Sequence, residues 1–306
     1  MNSPTVNETL RFRLDRHAVR RSFSRASRAY HAAARLQATV NAELIERLQY
    51  FRLEPRTILD LGCGTGRGAE VLRSRFPRAQ VIAIDVAFAM TQAARRRQRF
   101  WRRYACVCGD ACTLPLAAHS IDLVYSSLML QWCDDPPALF AEVQRVLRPG
   151  GLLLFSSFGP DTLHELRWAW ASADAQTHVS AFAAMPQLGE AISRAGLAEP
   201  VMDRETITQH YPNVQTLMTE LRTIGAQHAA ADRRRTLTGR GRVRAMLEAY
   251  ESLRTPAGIP ASWEVIYGAA FAGAARFSTE HFSAEQSGVA ETSVPLSAIG
   301  RRARSP

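Results

Sequence analysis

Asp60-Leu61-Gly62-Cys63-Gly64-Thr65-Gly66 stands where an apolar run, residues 57–61, gives way to a helical pattern over residues 66–75. Glycines at alternate positions let a backbone turn tightly and come close to a ligand. Asp85 closes the next apolar run, residues 80–84, and an acidic side chain at the end of a second strand can accept both hydroxyls of a ribose. The segment is therefore expected to bind a nucleoside. A dinucleotide fingerprint would need a further glycine at position 67, where Arg67 stands. Without the glycine that cradles a pyrophosphate, the spacing G-x-G-x-G favours a nucleoside with an amino-acid tail, S-adenosylmethionine, over NAD.

Outward from this loop, strand and helix patterns alternate: helix 87–97, strand 105–108, strand 121–126, helix 137–147 and strand 152–158. Alternation of this kind means crossover units and a mostly parallel sheet. Helix 137–147 carries one apolar stripe, Leu139, Phe140, Val143, Val146 and Leu147, and Pro149-Gly150-Gly151 is expected to stop it. Upstream, Phe23, Ala26, Tyr30, Ala33, Gln37, Val40, Leu44 and Leu48 recur at helical spacing, an arm that ends before Pro55. Downstream, Gly159-Pro160-Asp161-Thr162 opens a helix, and the pattern departs from simple alternation as an insertion would. A helix ending near Gly196, a strand 201–208, a helix 214–224 stopped by Gly225, an arginine-rich connection 233–244 and a strand 263–270 complete the pattern. The expected organisation is a flexible start (1–19), a helical arm or lid (20–54), a cofactor-binding core (55–158), a substrate cap with completion of the sheet (159–275), and a disordered tail (276–306) rich in Ser, Glu and Ala.

A chain of 306 residues, 46% hydrophobic and 22% charged, can bury a full core. It contains no run of eighteen apolar residues and no secretory signal pattern, so a soluble cytoplasmic protein without membrane contact is expected. Five cysteines, odd in number and set in core segments, do not read as a disulfide framework. Cys106 and Cys108 have no flanking histidine pair, which speaks against a metal site. No G-x-S-x-G or H-E-x-x-H arrangement occurs, so hydrolase chemistry has no support. The net charge of +10 rests on 38 arginines and not one lysine, a uniformity that reads as compositional bias; no nucleic-acid-binding motif accompanies it.

Gly109-Asp110-Ala111, Leu114-Pro115-Leu116 and Ile121-Asp122-Leu123-Val124 extend the pattern, and with the glycine loop the chain resembles the class I methyltransferases. That resemblance implies a Rossmann-like α/β fold: a mostly parallel seven-stranded sheet with helices on both faces, an N-terminal helical arm and a helical cap inserted after the fifth strand. It also implies that Asp110 and Ala111 meet the adenine and that the segment 126–131, beginning at Ser126, lines the methionine end. Asp60, Gly62, Gly64, Gly66 and Asp85 complete the cofactor set, with Gln37 reaching it from the arm.

A narrower resemblance rests on Phe23-Ser24-Arg25-Ala26 with Tyr30 and Leu36-Gln37, on Leu130-Gln131-Trp132, on the stretch from Phe158-Gly159-Pro160-Asp161-Thr162 to Leu163-His164-Glu165-Leu166, and on Ile224-Gly225-Ala226. Together these look like the malonyl-acyl carrier protein O-methyltransferases of biotin synthesis, over about Arg20 to Gly273. The resemblance implies methyl transfer to the free carboxylate of a malonyl thioester. Such a carboxylate is already ionised near neutral pH, so it needs no general base. Tyr30 is then expected in the lid, and a cation, Arg167 or Arg222, at the carboxylate. The acidic carrier would dock on Arg233, Arg234, Arg235, Arg240, Arg242 and Arg244. Two other functions remain open: methylation of another small carboxylate or a quinone precursor, and arginine hydroxylation of the kind performed by a mitochondrial complex I assembly factor that resembles the same family.

Overall fold

The computed structural model describes residues 14–98, 100, 103–226 and 239–273. Arg233, Arg234, Arg235 and the expected disordered tail lie outside the described residues.

The arm begins earlier than its apolar spacing suggests. Helix α1 spans Arg16–Ala26 because the Asp15 side chain accepts a hydrogen bond from the Ala18 N–H and caps it. The segment assigned as a flexible start thus ends inside a formed helix. Nor is the arm continuous: α2 (Tyr30–Ala33) and α3 (Arg35–Glu46) are separated at Ala34, whose ψ of 63° leaves the helical region, and a 3-10 turn, Arg47–Tyr50, follows.

The core then alternates as β1 (Thr57–Leu61), α4 (Arg67–Arg75), β2 (Gln80–Asp85), α5 (Phe88–Arg97), β3 (Ala105–Cys108), β4 (Ile121–Ser127), α6 (Pro136–Val146) and β5 (Leu147–Phe158). Helix α6 stops before the Pro149-Gly150-Gly151 sequence expected to end it. Leu147 turns to an extended conformation and pairs with Ile121, so the strand runs through the glycines. Helix α7 (His164–Ala171) starts later than its motif suggests, because residues 159–163 bind the sheet. Next come α8 (Met185–Arg194), β6 (Leu197–Tyr211), α9 (Val214–Thr223), α10 (Arg240–Glu251) and β7 (Ile259–Ala272). Arg240, Arg242 and Arg244 therefore stand on a helix rather than in an open connection, and Arg244 pairs with Glu248 at 2.7 Å.

Seven strands form one mixed sheet in the order β3-β2-β1-β4-β5-β7-β6. The first five pair in parallel, but β7 is antiparallel to both β5 and β6. The sheet is mostly parallel with β7 the antiparallel strand, and β6 and β7 exceed their apolar cores because they pair along most of their lengths, from Leu197↔Ala272 to Tyr211↔Ile259. Successive residues face opposite sides. Leu152 and Leu154 join a core with α3, α4 and α7, while Leu153 and Phe155 join another with α6 and α8. Helices thus cover both faces. Among the described residues no helix is long and apolar enough to cross a membrane.

Candidate active site

The strand order reverses between β1 and β4, and in an open α/β sheet the crevice at such a point, beyond the strands' carboxyl ends, receives the ligand. A cleft of about 320 Å³ lies there. Its walls include Gly62 and Gly64 after β1, Asp85 at the end of β2, Asp110 and Ala111 after β3, and Ser127 to Met129 after β4. Gly62 and Gly64 have positive φ, 77° and 52°. Asp85 braces the loop, because Oδ2 accepts from the Gly64 N–H at 2.9 Å and Oδ1 from the Ala87 N–H at 2.8 Å. Burial pushes its carboxyl up to about 6 despite these two donors.

Other expected cofactor residues stand behind the cleft. Asp60 is buried beneath the loop, where burial raises its carboxyl to about 7. A Cβ on Gly68 would come within 2.9 Å of its Oδ2, so its position is at the start of α4 rather than at a ligand. Gly66 faces Tyr104 and Ala94. Ser126 is fully buried and donates to the Leu61 carbonyl at 2.9 Å, leaving Ser127 at the wall. Gln37 sits half-buried on α3 and does not line the cleft.

Helix α1 closes the other side. Arg16 reaches Asp134 at 2.9 Å and Asp110 at 3.4 Å, and Phe23 meets Trp132 edge-on at 5.1 Å between ring centres. Tyr30 lines the cleft beside Phe23, 6.3 Å between centres. Burial and the charge of Asp85 push its hydroxyl upward, so it remains a proton donor. Arg67 ties α2 to the glycine loop through the His31 carbonyl at 3.1 Å. The sequence patterns do not point to Arg16, Arg67 or Phe23 as ligand-site residues. The one sequence signal for Arg16 was the cap residue Asp15, three positions before Ala18.

The motifs of the narrower resemblance have physical jobs. Gln131 donates to the Leu128 carbonyl at 2.7 Å and holds that residue's left-handed turn, φ 51°. Gly159 lies so close to buried Glu264 that a Cβ would stand 2.4 Å from its Cδ, and Glu264 accepts from the Asp161 N–H at 2.8 Å. Thr162 donates to the Glu264 carbonyl at 3.0 Å. Residues 159–163 are thereby strapped to β7. Gly225 lets α1 approach, because a Cβ there would stand 3.1 Å from the Ser22 carbonyl.

Together they build a second cavity of about 240 Å³, walled by Phe158, Leu163, Trp170, Phe182 and Trp263. Trp132 lines both cavities, so its indole is their shared wall. Arg222 lines this chamber, and its guanidinium has no hydrogen-bond or ion-pair partner among the described residues. Arg167 is elsewhere engaged: it donates to the carbonyls of Ser180, Pro160 and Thr162, bracing the strap, and lines neither cavity. Its expected place at a substrate carboxylate is not supported, whereas Arg222 is at a cavity.

Tyr30→Ala is expected to lower turnover about a hundredfold by loosening closure over the cleft, with the apo melting temperature nearly unchanged. Differential scanning fluorimetry beside initial rates checks this; a large stability loss with normal turnover would make Tyr30 a packing residue.

Residues 59–155 match a family model described as a methyltransferase domain. A malonyl-[acyl-carrier protein] O-methyltransferase of Xylella fastidiosa is 47% identical over 285 residues, covering 92% of this chain and 96% of that protein. One from Gallionella capsiferriformans is 44% identical, covering 87% and 93%. Among solved structures, the YcgJ protein of Bacillus subtilis superposes with a TM-score of 0.55 at 15% identity, covering 75% of this chain and 97% of that one, a likeness of fold alone.

Proposed function

The chain belongs to the family of malonyl-[acyl-carrier protein] O-methyltransferases, and from that premise we propose how its two cavities divide the work. The enzyme transfers a methyl group from S-adenosylmethionine to the free carboxylate of a malonyl thioester on acyl carrier protein. The observation that carries the division of roles is Trp132, the wall common to the glycine-loop cleft and the apolar chamber.

The cleft residues fit a nucleoside with an amino-acid tail. Gly62 and Gly64 leave the loop without side chains at its surface, Asp85 offers carboxylate oxygens for ribose hydroxyls, and Asp110 with Ala111 stands at the adenine side. When bound, S-adenosylmethionine supplies an electrophilic methyl on a sulfonium. Everything else is positioning. Helix α1, latched by Arg16 and wedged by Phe23 and Tyr30, excludes water from the cleft. Charges of opposite sign cancel as the carboxylate reacts, so a dry, closed site favours the transition state. The nucleophile is already an anion, so no side chain need remove a proton. Arg222 receives the malonyl carboxylate, and the aromatic walls take the acyl and pantetheine chain.

The residues 159–275 serve as the substrate cap in this reading, and the exposed arginines of α10 offer the acidic carrier a docking face. The methyl ester hides the malonyl charge, as the pimeloyl route to biotin requires, and five free thiols suit a cytoplasmic setting. Arg222→Gln tests the assignment. Removing a charge-assisted hydrogen bond costs roughly 1.5–3 kcal/mol, so KM for malonyl-acyl carrier protein and for malonyl-CoA should rise together by at least about tenfold with cofactor affinity unchanged. Unchanged KM for both would take the carboxylate away from Arg222.

A further inference from the structure

The apolar chamber contains one imidazole. His178, in the segment after α7, stacks on Trp170 with ring centres 3.7 Å apart and 13° between planes. Its Nε2 lies 2.9 Å from Oδ1 of Asp174. A carboxylate has no proton to give, so the hydrogen between them belongs to Nε2. Stacking fixes the plane of the ring, and Asp174 fixes its rotation within that plane. Asp174 is held in turn: the Gln176 N–H donates to it at 2.8 Å, and Nε of Arg242 stands 3.9 Å from its other oxygen. Nδ1 is therefore presented in one direction, and no described residue partners it.

Arg222, an exposed residue, also lines the chamber and has no partner among the described residues. An apolar chamber lined by an exposed guanidinium without a described partner and by a two-point-fixed imidazole is arranged for a ligand that accepts hydrogen bonds. Apart from Ser180 its remaining walls are apolar, which suits a short acyl chain ending in a carboxylate.

We propose that His178 is a specificity-determining residue that, together with Arg222, receives the terminal carboxylate of the acyl thioester at Nδ1. The proposal rests on the reading of the chamber as the acyl site. Asp174 holds the ring at Nε2, Arg242 stands at the other oxygen of Asp174, and Arg222 lines the same chamber as His178. The Asp174–His178 pair then does more than staple its own segment: it selects a charged acyl end over a neutral one.

Calorimetry on the full chain saturated with S-adenosylhomocysteine separates the two roles. The ligands are malonyl-CoA and its methyl ester, which differ in the terminal charge and by one methyl group. Wild type should prefer malonyl-CoA by about tenfold or more. In His178→Gln the amide nitrogen takes the place of Nε2 and keeps Asp174, while the chamber nitrogen is lost. The preference should then fall about tenfold, with melting temperature and S-adenosylhomocysteine affinity unchanged. His178→Asn keeps a chamber amide and loses Asp174, so it should lose stability before it loses preference. Wild-type preference retained in His178→Gln, or lost only in His178→Asn, overturns the proposal, as does a wild type with no preference. Methyl transfer to malonyl-acyl carrier protein by the same wild-type preparation keeps the tests apart: its absence removes the underlying reading, whereas transfer with an unaltered preference in His178→Gln removes this inference alone.

Discussion

Gly62→Val is expected to abolish measurable cofactor binding and to lower the stability of the apo protein as well. The residue sits at φ 77°, a region that costs a residue with a Cβ about 1–2 kcal/mol. A Cβ built there would also stand 2.2 Å from Cγ and 2.4 Å from Cβ of Met129, atoms near the backbone that cannot swing away. Overpacking of this kind adds about 1–3 kcal/mol, and the displaced Met129 belongs to the wall of the cleft. Gly64 differs: its φ is 52° and the nearest atom to an added Cβ is in the Tyr30 ring at 3.8 Å. Sequence alone makes Gly64 a natural choice for the most damaging loop substitution, but the structure ranks Gly62 first. Thermal unfolding with and without S-adenosylhomocysteine checks the order. A Gly62→Val protein that melts like wild type and binds normally would refute the tight contact with Met129.

Asp85→Ala should weaken binding of S-adenosylhomocysteine by roughly 1.5–3 kcal/mol, about ten- to a hundredfold, because two ribose hydroxyls lose a charged acceptor. It should also unsettle the loop, since the Gly64 and Ala87 N–H groups lose their partner. A pH dependence follows. Burial holds the carboxyl at about 6 in the free protein, and donors from a ribose favour the ionised form. Affinity should therefore be full above pH 6 and fall as pH drops through that value, approaching about tenfold per unit. Asp85→Asn should flatten the profile. Asp60, raised to about 7, also titrates nearby, but it lies under the loop, so Asp60→Asn should leave the fall at pH 6 in place. A wild-type profile that is flat between pH 5 and 8, by calorimetry, would remove Asp85 from the ribose.

What could be read from the sequence was local. β1 and β3 have the bounds that their apolar runs suggest, and the glycine loop with Asp85 lies at one cleft because strand ends and tight turns are set by neighbouring residues. What could not be read depended on distant partners. β7 extends to Ile259–Ala272 because β6 pairs along it, and no local pattern states that length or the antiparallel sense. Arg16 fell in a segment whose composition suggested no structure, yet Asp110 and Asp134 fix it. The strap at residues 159–163 was recognisable as a motif, but its purpose lies in Glu264, about a hundred residues away. For the same reason Arg167 and Ser126, sound by residue type, turn out to bond backbone carbonyls. Arg222 and Trp132 meet one chamber that only the folded chain assembles.

A malonyl carboxylate, and not the carrier or another small acid, receives the methyl group. The direct measurement is intact mass of the acyl group after incubating the purified chain with S-adenosylmethionine and either malonyl- or acetyl-acyl carrier protein. Malonyl-acyl carrier protein is expected to gain one methyl group, released with the acyl chain on thioester cleavage, while acetyl-acyl carrier protein gains none. A methyl group left on the carrier after cleavage, or no transfer with malonyl-acyl carrier protein at all, would contradict it.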